Sequence, residues 1–510
     1  MEGAGGEPAP ANSTNGRSGK GLGLSTSLRT ALLCLSIIAV LPAGHVSAQP
    51  TWSIEGTPNA SATQHNFLND VTCVTDDDCW TVGYHRNSIA YQAVVQHWDG
   101  GSWSLVDSPD TSATQDDFVH AVACASSSSC WVVGYSWYRP DSEYRPLLLR
   151  WDGTSLSNVE PPGSDLPGNA FLYDIACPSA TECWAVGQHQ IGVLGGGVGP
   201  RQTLIVRWDG ESWSTASSPN TLPAQSNTLV GITCLSATEC WAVGSYAAAG
   251  AEQTLIQAWN GESWRIVPSP NTDPLQQNFL NGVTCVSSSD CWAVGIHTTS
   301  VNQTLIQHWD GSAWSMVPSP NTDPDQANVL FSVACTSPTE CWAAGYHKEG
   351  FPLRTLLLKW DGESWAIASS PNSAPGQTNT FRSVTCDPSE GCWAVGNYYN
   401  AQSISRTFVT RYAQQQTTPL ETVIDLELQT LRNEVVATAR LTTTEGAGLP
   451  DREIVFFLNG QETARSTTAS DGTVSLTFPR NDIKPHDVVQ ARFLGDEGLA
   501  PSQASASLRT

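Results

Sequence analysis

The sequence predicts an all-β protein, in which a seven-bladed β-propeller of four-stranded blades precedes an Ig-like (immunoglobulin-like) β-sandwich. Three observations predict this fold. One unit of about fifty residues recurs seven times, every unit holds four short β-prone segments, and the recurrence stops near residue 412. Four-stranded units of this length are typical of propellers, which hide sheet edges by radial repetition. An open solenoid of the same units is the alternative.

The composition argues against several classes of protein. The chain has 510 residues, and its 24 Lys and Arg against 48 Asp and Glu give a net charge of −24. Such a chain is a poor partner for nucleic acid, because phosphate binding needs Lys and Arg to displace counterions. The 40% of hydrophobic residues and the 20 Trp argue against intrinsic disorder, because they can bury a large core.

Residues 1–48 are predicted to be a secretory signal peptide with a long n-region. Three basic residues precede an apolar run over residues 31–42, and a small-residue cleavage motif ends at Ala48. A transmembrane anchor is the alternative, for which the run is short against the ~20 residues that a span needs. A start codon further downstream is also open. No later segment is apolar enough to cross a membrane, so we expect no span in the mature chain.

Each repeat unit reads as four strands, A to D. The consensus is Val-Thr-Cys, five residues, Cys-Trp-Ala-Val-Gly, a variable stretch, Thr-Leu-Ile-Gln-x-Trp-Asp-Gly-x-Ser-Trp and Ser-Pro-Asn. The first cysteines of successive units lie 50 to 57 residues apart. In the first unit the strands are predicted at residues 68–73, 79–84, 93–98 and 102–106, because Val, Ile and Trp dominate there and turn-forming residues separate them.

The two ends of the repeat region favour a ring over a solenoid. Residues 51–54 read as a strand D with no strands A to C before them, and the seventh unit stops after its strand C. In a ring, residues 51–55 would pair with residues 407–412 and close the circle, whereas a solenoid would leave two exposed edges. The predicted propeller therefore spans residues 49–412.

Tryptophan and cysteine recur with the units. Nineteen of the 20 Trp fall into three repeat registers, which favours packing between blades over sugar platforms. Every unit carries one Cys-x5-Cys pair, which in a secreted protein predicts a disulfide. A catalytic thiol would not come in seven copies, and the loops hold no recurring His for a metal, so neither a metal nor a cofactor is expected. The predicted pairs are Cys73–Cys79, Cys124–Cys130, Cys177–Cys183, Cys234–Cys240, Cys285–Cys291, Cys335–Cys341 and Cys386–Cys392.

The C-terminal part of the chain differs from the repeats. Residues 413–419 are polar and are predicted to be a linker. Residues 420–510 contain neither Cys nor Trp, and about seven short strands in about ninety residues predict an Ig-like sandwich. The strand segments that can be read directly are residues 423–428, 435–441, 453–458, 474–478, 488–493 and 504–508.

Both domains resemble known families. The repeats are similar in architecture to secreted bacterial propellers with kelch or Asp-box repeats. However, Asp99-Gly100-Gly101-Ser102-Trp103 lacks the residue that an Asp-box has between Asp and Gly, and the paired glycines of kelch repeats are absent. No active site can therefore be carried over. Residues 448–460 and 468–472 resemble bacterial Ig-like domains of the invasin and adhesin type, which implies a spacer and a secreted or surface location.

Two sets of residues are candidates for ligand binding. One position of strand A, two residues before its Val-x-Cys or Ile-x-Cys signature, differs in residue type from unit to unit. The residue before it is read as apolar and the residue after it as small, and a variable position among uniform neighbours is expected of a ring of ligand contacts at the channel mouth. Drift at an exposed strand end is the alternative. The second set follows strand B and would either stack on sugars or shield the blade ends. The first set comprises Asn69, His120, Tyr173, Asn281, Phe331 and Arg382, with Val230 in the fourth unit, and the second comprises Tyr84, His85, His189, His297, Tyr346 and His347.

These observations predict a secreted or surface-associated, monomeric binding or adhesion protein rather than an enzyme. Its ligand would be carbohydrate or an extracellular protein, bound at the variable face of the propeller. Paired catalytic carboxylates are not discernible, and no nucleophile elbow, phosphate loop or zinc helix motif appears. The alternatives are an extracellular polysaccharide hydrolase or lyase with its site on the same face, and a scaffold without a small ligand.

Overall fold

A computed structural model describes most of the chain from residue 51 onward. In the described part every regular element is a β-strand, and no helix there is long and apolar enough to cross a membrane. The predicted signal peptide, residues 1–48, and most of the predicted linker, residues 414–419, lie outside the described residues. The described ranges are 51–138, 142–162, 168–193, 197–248, 250–350, 352–387, 391–413, 420–444, 446–495 and 499–508.

Seven four-stranded antiparallel sheets, numbered 1 to 7 here, follow one another between Thr51 and Ala413 in the described residues. In sheets 1 to 6 the strands pair in chain order. The strands of sheets 1 to 3 are β2 (Asn66–Thr75), β3 (Asp78–Arg86), β4 (Tyr91–Trp98), β5 (Trp103–Val106); β6 (Asp117–Ser126), β7 (Ser129–Tyr138), β8 (Glu143–Trp151), β9 (Leu156–Val159); β10 (Asn169–Ser179), β11 (Glu182–Val193), β12 (Gly197–Trp208), β13 (Trp213–Ala216).

Sheets 4 to 6 repeat this order, and sheet 7 takes its fourth strand from the start of the region. Their strands are β14 (Asn227–Ser236), β15 (Glu239–Ala248), β16 (Ala251–Trp259), β17 (Trp264–Val267); β18 (Gln277–Ser287), β19 (Asp290–Thr298), β20 (Asn302–Trp309), β21 (Trp314–Val317); β22 (Asn328–Ser337), β23 (Glu340–Lys348), β24 (Leu353–Trp360), β25 (Trp365–Ala368); and β26 (Asn379–Asp387), β27 (Gly391–Tyr399), β28 (Ser405–Ala413), β1 (Thr51–Glu55).

Strand β1 pairs with β28 from Thr51↔Ala413 to Glu55↔Val409, so the pairing reaches one residue past the predicted range 407–412 and does not include residues 407 and 408. The first strand of each sheet, which we call the inner strand, contacts the inner strand of the next sheet, and β26 contacts β2 in the same way. The inner strands therefore contact one another in a closed circle, and the described sheets have a propeller-like arrangement.

Tryptophans fill the space between neighbouring sheets, as the sequence predicts. Trp80 of sheet 1 and Trp151 of sheet 2 have ring centroids 4.9 Å apart, and Trp131 of sheet 2 and Trp208 of sheet 3 repeat the contact at 4.9 Å. Such aromatic pairs bury large apolar areas and favour tilted geometries. The seven predicted disulfides are confirmed, and each joins the inner strand to the second strand of its sheet.

The C-terminal residues form two further sheets that enclose a core containing Val435, Phe456, Phe478 and Val489. One sheet has the order β29-β30-β33 and the other β32-β31-β34-β35. The sequence reading does not identify β32, which is largely exposed and lacks apolar alternation. The strands are β29 (Thr422–Thr430), β30 (Glu434–Thr443), β31 (Glu453–Leu458), β32 (Gln461–Thr467), β33 (Thr473–Pro479), β34 (Val488–Phe493) and β35 (Ser502–Ser507).

Candidate ligand-binding cavity

A β-bulge interrupts every inner strand at the same place. In β2 the pairing with β3 shifts between Leu68 and Asp70, so that Asn69 is the extra, unpaired residue. A bulge re-aims the side chain of its extra residue, and bulges recur next to functional sites. The extra residues, which we call the bulge residues, are Asn69, His120, Tyr173, Val230, Asn281, Phe331 and Arg382.

The glycine of the Cys-Trp-x-Val-Gly motif makes room for the bulge. Gly83 pairs with Leu68, and a Cβ on Gly83 would collide with the carbonyl oxygen of Phe67. The same collision would occur at Gly187, against the carbonyl oxygen of Phe171. Glycine is the residue that permits this close backbone approach. The repeated glycine therefore fixes the place at which each inner strand bulges.

All seven bulge residues line one cavity of about 370 Å³, which we call the inner-strand cavity. Six of them are the first candidate set of the sequence analysis, and Val230 is the seventh member of that register. Tyr84, from the second candidate set, lines the same cavity. The structure thus brings these residues together, and their role in binding a ligand stays a prediction.

The other members of the second candidate set do not line this cavity. The four histidines of this set lie in the second strands of their sheets, toward the strand ends: His85, His189, His297 and His347. Partial burial lowers the pKa values of His85, His297 and His347. Tyr346 contacts a residue of the cavity wall, because its ring centroid lies 5.8 Å from that of Phe331. The histidines thus remain spread over four sheets. Within the described residues, no group of three or more His, Cys, Asp or Glu side chains is placed to hold a metal ion.

The cavity wall also contains two carboxylates, Asp70 and Asp174. They are not among the predicted candidate residues, because the position after each bulge residue is expected to hold only small side chains. Burial raises the pKa of Asp70, and burial together with the Asp70 carboxylate raises the pKa of Asp174 well above its ordinary value. An acidic residue inside a predicted inner strand, directly before the Val or Ile of its signature, is the signal that could have found them. Both are paired with neighbouring strands: Val122 N–H donates to Asp70 Oδ2 at 2.9 Å, and Ile232 N–H donates to Asp174 Oδ2 at 2.7 Å.

Two bulge residues also link neighbouring inner strands. The amide of Asn69 donates to the carbonyl oxygen of Val119 at 2.7 Å, and Asn281 donates to Leu330 in the same way at 2.7 Å. These two side chains are therefore committed to the scaffold. His120, Tyr173, Phe331 and Arg382 remain as the bulge residues with polar or aromatic groups for a ligand.

Aromatic rings form a continuous arc beside one half of the cavity, across sheets 1 to 3. Ring centroids lie 5.0 Å apart for Phe67 and Tyr84, 5.3 Å for Phe118 and Tyr135, and 4.8 Å for Tyr135 and Phe171. All these rings are partly exposed. The aromatic arc comprises Phe67, Tyr84, Phe118, Tyr135, Phe171 and Tyr173.

Three titratable side chains of the cavity wall, His120, Tyr173 and Tyr84, are neutral around pH 7. Burial, with a smaller effect of the Arg382 charge, lowers the pKa of His120 to about 4. Burial raises the pKa of Tyr173 to about 12 and also raises the pKa of Tyr84. The tyrosine hydroxyls therefore keep their protons as hydrogen-bond donors. Nε2 of His120 has no hydrogen-bond partner among the described residues.

Solved structures are similar to the chain, whereas no protein-family model and no curated protein matches it. A six-bladed propeller lectin from the fungus Aleuria aurantia, titled with a fucose recognition mode, is 12% identical; 62% of this chain and 100% of the lectin are covered, with a TM-score of 0.37. A xyloglucanase from Xanthomonas campestris is 12% identical; 89% of this chain and 68% of the xyloglucanase are covered, with a TM-score of 0.42. An ulvan lyase is 8% identical; 72% of this chain and 95% of the lyase are covered, with a TM-score of 0.43. At these values the similarities carry no argument about function.

Proposed function

We propose that the seven sheets are the blades of a closed seven-bladed β-propeller at residues 49–412, and that a linker at residues 413–419 joins it to an Ig-like sandwich at residues 420–510. The contact of β26 with β2 and the pairing of β1 with β28 support closure of the ring. Seven disulfides fit an oxidising compartment outside the cytoplasm. Residues 1–48 stay a predicted signal peptide, and the sandwich would act as a spacer.

The function that the geometry supports best is binding of a carbohydrate in the inner-strand cavity, outside the cell and without catalysis. The observation that carries this proposal is the variety of the bulge residues. One backbone position in near-identical repeats holds six residue types, all facing one cavity. Aromatic rings cover the apolar C–H faces of sugar rings, and hydroxyl, imidazole and guanidinium groups donate hydrogen bonds to the sugar oxygens.

A glycan array probed with the purified protein tests this proposal, followed by titration calorimetry with the best ligand. Tyr173→Leu and Phe331→Leu should each weaken binding at least about tenfold, because each removes a ring of the cavity wall. Met316→Ala is the control, since its side chain is 45% exposed on the outer strand β21. Binding unchanged by both cavity variants would remove the site, and binding to proteins alone would support the extracellular-protein ligand instead.

An extracellular polysaccharide hydrolase or lyase is the second candidate, and the presence of two carboxylates, Asp70 and Asp174, in the wall of one cavity favours it. Their hydrogen bonds to Val122 and Ile232 favour a structural role, because they hold an oxygen of each carboxylate against a neighbouring strand. The polysaccharides bound on the array should be incubated with the protein, and released reducing ends and unsaturated products measured. We expect no turnover. Turnover that Asp174→Asn abolishes while binding persists would establish the enzyme.

A further inference from the structure

Arg382 is a cation in the inner-strand cavity without an anionic partner. Its guanidinium lies 4.5 Å from the ring centroid of Phe331, stacked on the neighbouring bulge residue. Among the described residues it makes neither an ion pair nor a hydrogen bond, whereas Arg207 is bidentate to Glu182 at 2.8 Å. Stacking orients the planar fork of five N–H donors and leaves its edge free.

Arg382 shares the cavity wall with Tyr84 of sheet 1 and His120 of sheet 2. Its charge lowers the pKa of His120 and opposes the burial that raises the pKa of Tyr84. Nε2 of His120 is buried and has no hydrogen-bond partner among the described residues. The Arg382 guanidinium and the Tyr84 hydroxyl thus offer donors to one cavity, beside the neutral imidazole of His120.

The carboxylates of the cavity do not neutralise this arginine. Asp70 Oδ1 accepts a hydrogen bond from the Ser383 hydroxyl at 2.7 Å, and its Oδ2 accepts the Val122 N–H. Asp174 accepts the N–H groups of Ile175 at 2.8 Å and Ile232 at 2.7 Å. All four carboxylate oxygens therefore accept hydrogen bonds from the inner strands. The guanidinium of Arg382 stays available to form an ion pair with a ligand.

We propose that the ligand of this cavity is an acidic carbohydrate, whose carboxylate pairs with Arg382 while its sugar ring lies against the rings of Phe331, Tyr84 and Tyr173. This inference rests on the proposed carbohydrate-binding function and names its ligand class. The guanidinium fork matches the two oxygens of a carboxylate, and such charge-assisted pairs are about twice as strong as neutral hydrogen bonds.

Calorimetric titration with an oligogalacturonide and with its methyl ester tests the inference. The acid should bind at least about tenfold more tightly than the ester. Arg382→Gln should remove that difference and Arg382→Lys should restore part of it, because lysine keeps the charge without the fork. Arg265→Gln is the control, since that exposed side chain lies on the outer strand β17. Thermal unfolding of each variant checks that the fold is retained.

Each result supports or overturns the proposal. Equal binding of acid and ester, or full binding by Arg382→Gln, overturns the acidic ligand and leaves carbohydrate binding in place. Preference for a sulfated neutral glycan over the carboxylated one overturns the carboxylate assignment. Failure to bind acid, ester and every glycan of the array overturns both this inference and the proposed function.

Discussion

The hydroxyl of Ser383 donates a 2.7 Å hydrogen bond to Oδ1 of Asp70, and this bond joins the last inner strand of the circle to the first. Asp70 is a half-buried carboxylate whose other oxygen accepts the Val122 N–H of the next inner strand. One carboxylate thus links three successive sheets at the place where the circle closes. A half-buried carboxylate depends on such donors, because part of its hydration is lost.

Ser383→Ala should lower the free energy of unfolding by about 1–3 kcal/mol, because it leaves an oxygen of Asp70 without its donor. Urea unfolding followed by tryptophan fluorescence measures the loss. Ser104→Ala is the matched control, since its exposed hydroxyl makes only a 3.4 Å hydrogen bond to the carbonyl oxygen of His97. A loss for Ser383→Ala no larger than that of the control would show that the closing bond contributes little.

Gly187→Ala should destabilise the fold by about 3 kcal/mol or prevent folding, because the added Cβ collides with the backbone carbonyl of Phe171 beside the bulge at Tyr173. Thermal unfolding monitored by circular dichroism measures the change. Gly56→Ala is the control, because no atom lies within 4 Å of a Cβ at that exposed position. Equal melting temperatures for the two variants would contradict the account of the repeated glycine.

Asp117→Asn should stabilise the protein above pH 6 and lose that advantage below pH 4. Burial raises the pKa of Asp117 from 3.8 to about 6, so folding favours its protonated form. Its contribution to stability is therefore fully present below about pH 4 and is lost as the pH rises through about 6. The gain at pH 8 should approach about 3 kcal/mol, from about two pKa units.

The repeat provides the reverse change as the control for Asp117. Asn278 occupies the equivalent position in sheet 5, where its amide donates to the carbonyl oxygen of Gln276 at 2.9 Å. Asn278→Asp should introduce a loss of stability with rising pH that the wild-type protein lacks at this site. The measurement is the free energy of unfolding of the wild-type protein and of both variants between pH 3 and 8. Parallel pH profiles for the three proteins would contradict the view that burial of Asp117 makes stability depend on pH.

Removal of one disulfide should cost about 2 kcal/mol, because each bridge closes a short loop and restricts the unfolded chain only modestly. The double variant Cys177→Ala/Cys183→Ala tests this by urea unfolding under oxidising conditions. Cys335→Ala/Cys341→Ala should cost the same, since both bridges span a sequence separation of 6. An unchanged midpoint in both variants would mean that the bridges add no stability to the repeats.

The repeats allowed much of this architecture to be predicted, because each strand recurs with the same Cys, Trp and Gly positions. The variable register at Asn69, His120 and Tyr173 also pointed to one cavity. The bulges were not predictable, since an extra residue in a strand looks like any other residue until its partner strand is known. Asp70 and Asp174 were missed for a related reason: their roles are set by N–H groups on neighbouring sheets, more than fifty residues away.

The pairing of Thr51 with Ala413 has a mechanical consequence. Both residues lie at the end of sheet 7 that carries the Cys386–Cys392 bridge, whereas the bulge at Arg382 lies toward the other end of β26. A tether attached before Thr51 or after Ala413 would therefore leave sheet 7 at the end that carries this bridge. A pulling force applied through both ends at once would unzip β1 from β28 one hydrogen bond at a time, because Thr51 and Ala413 lie at the same end of this antiparallel pair.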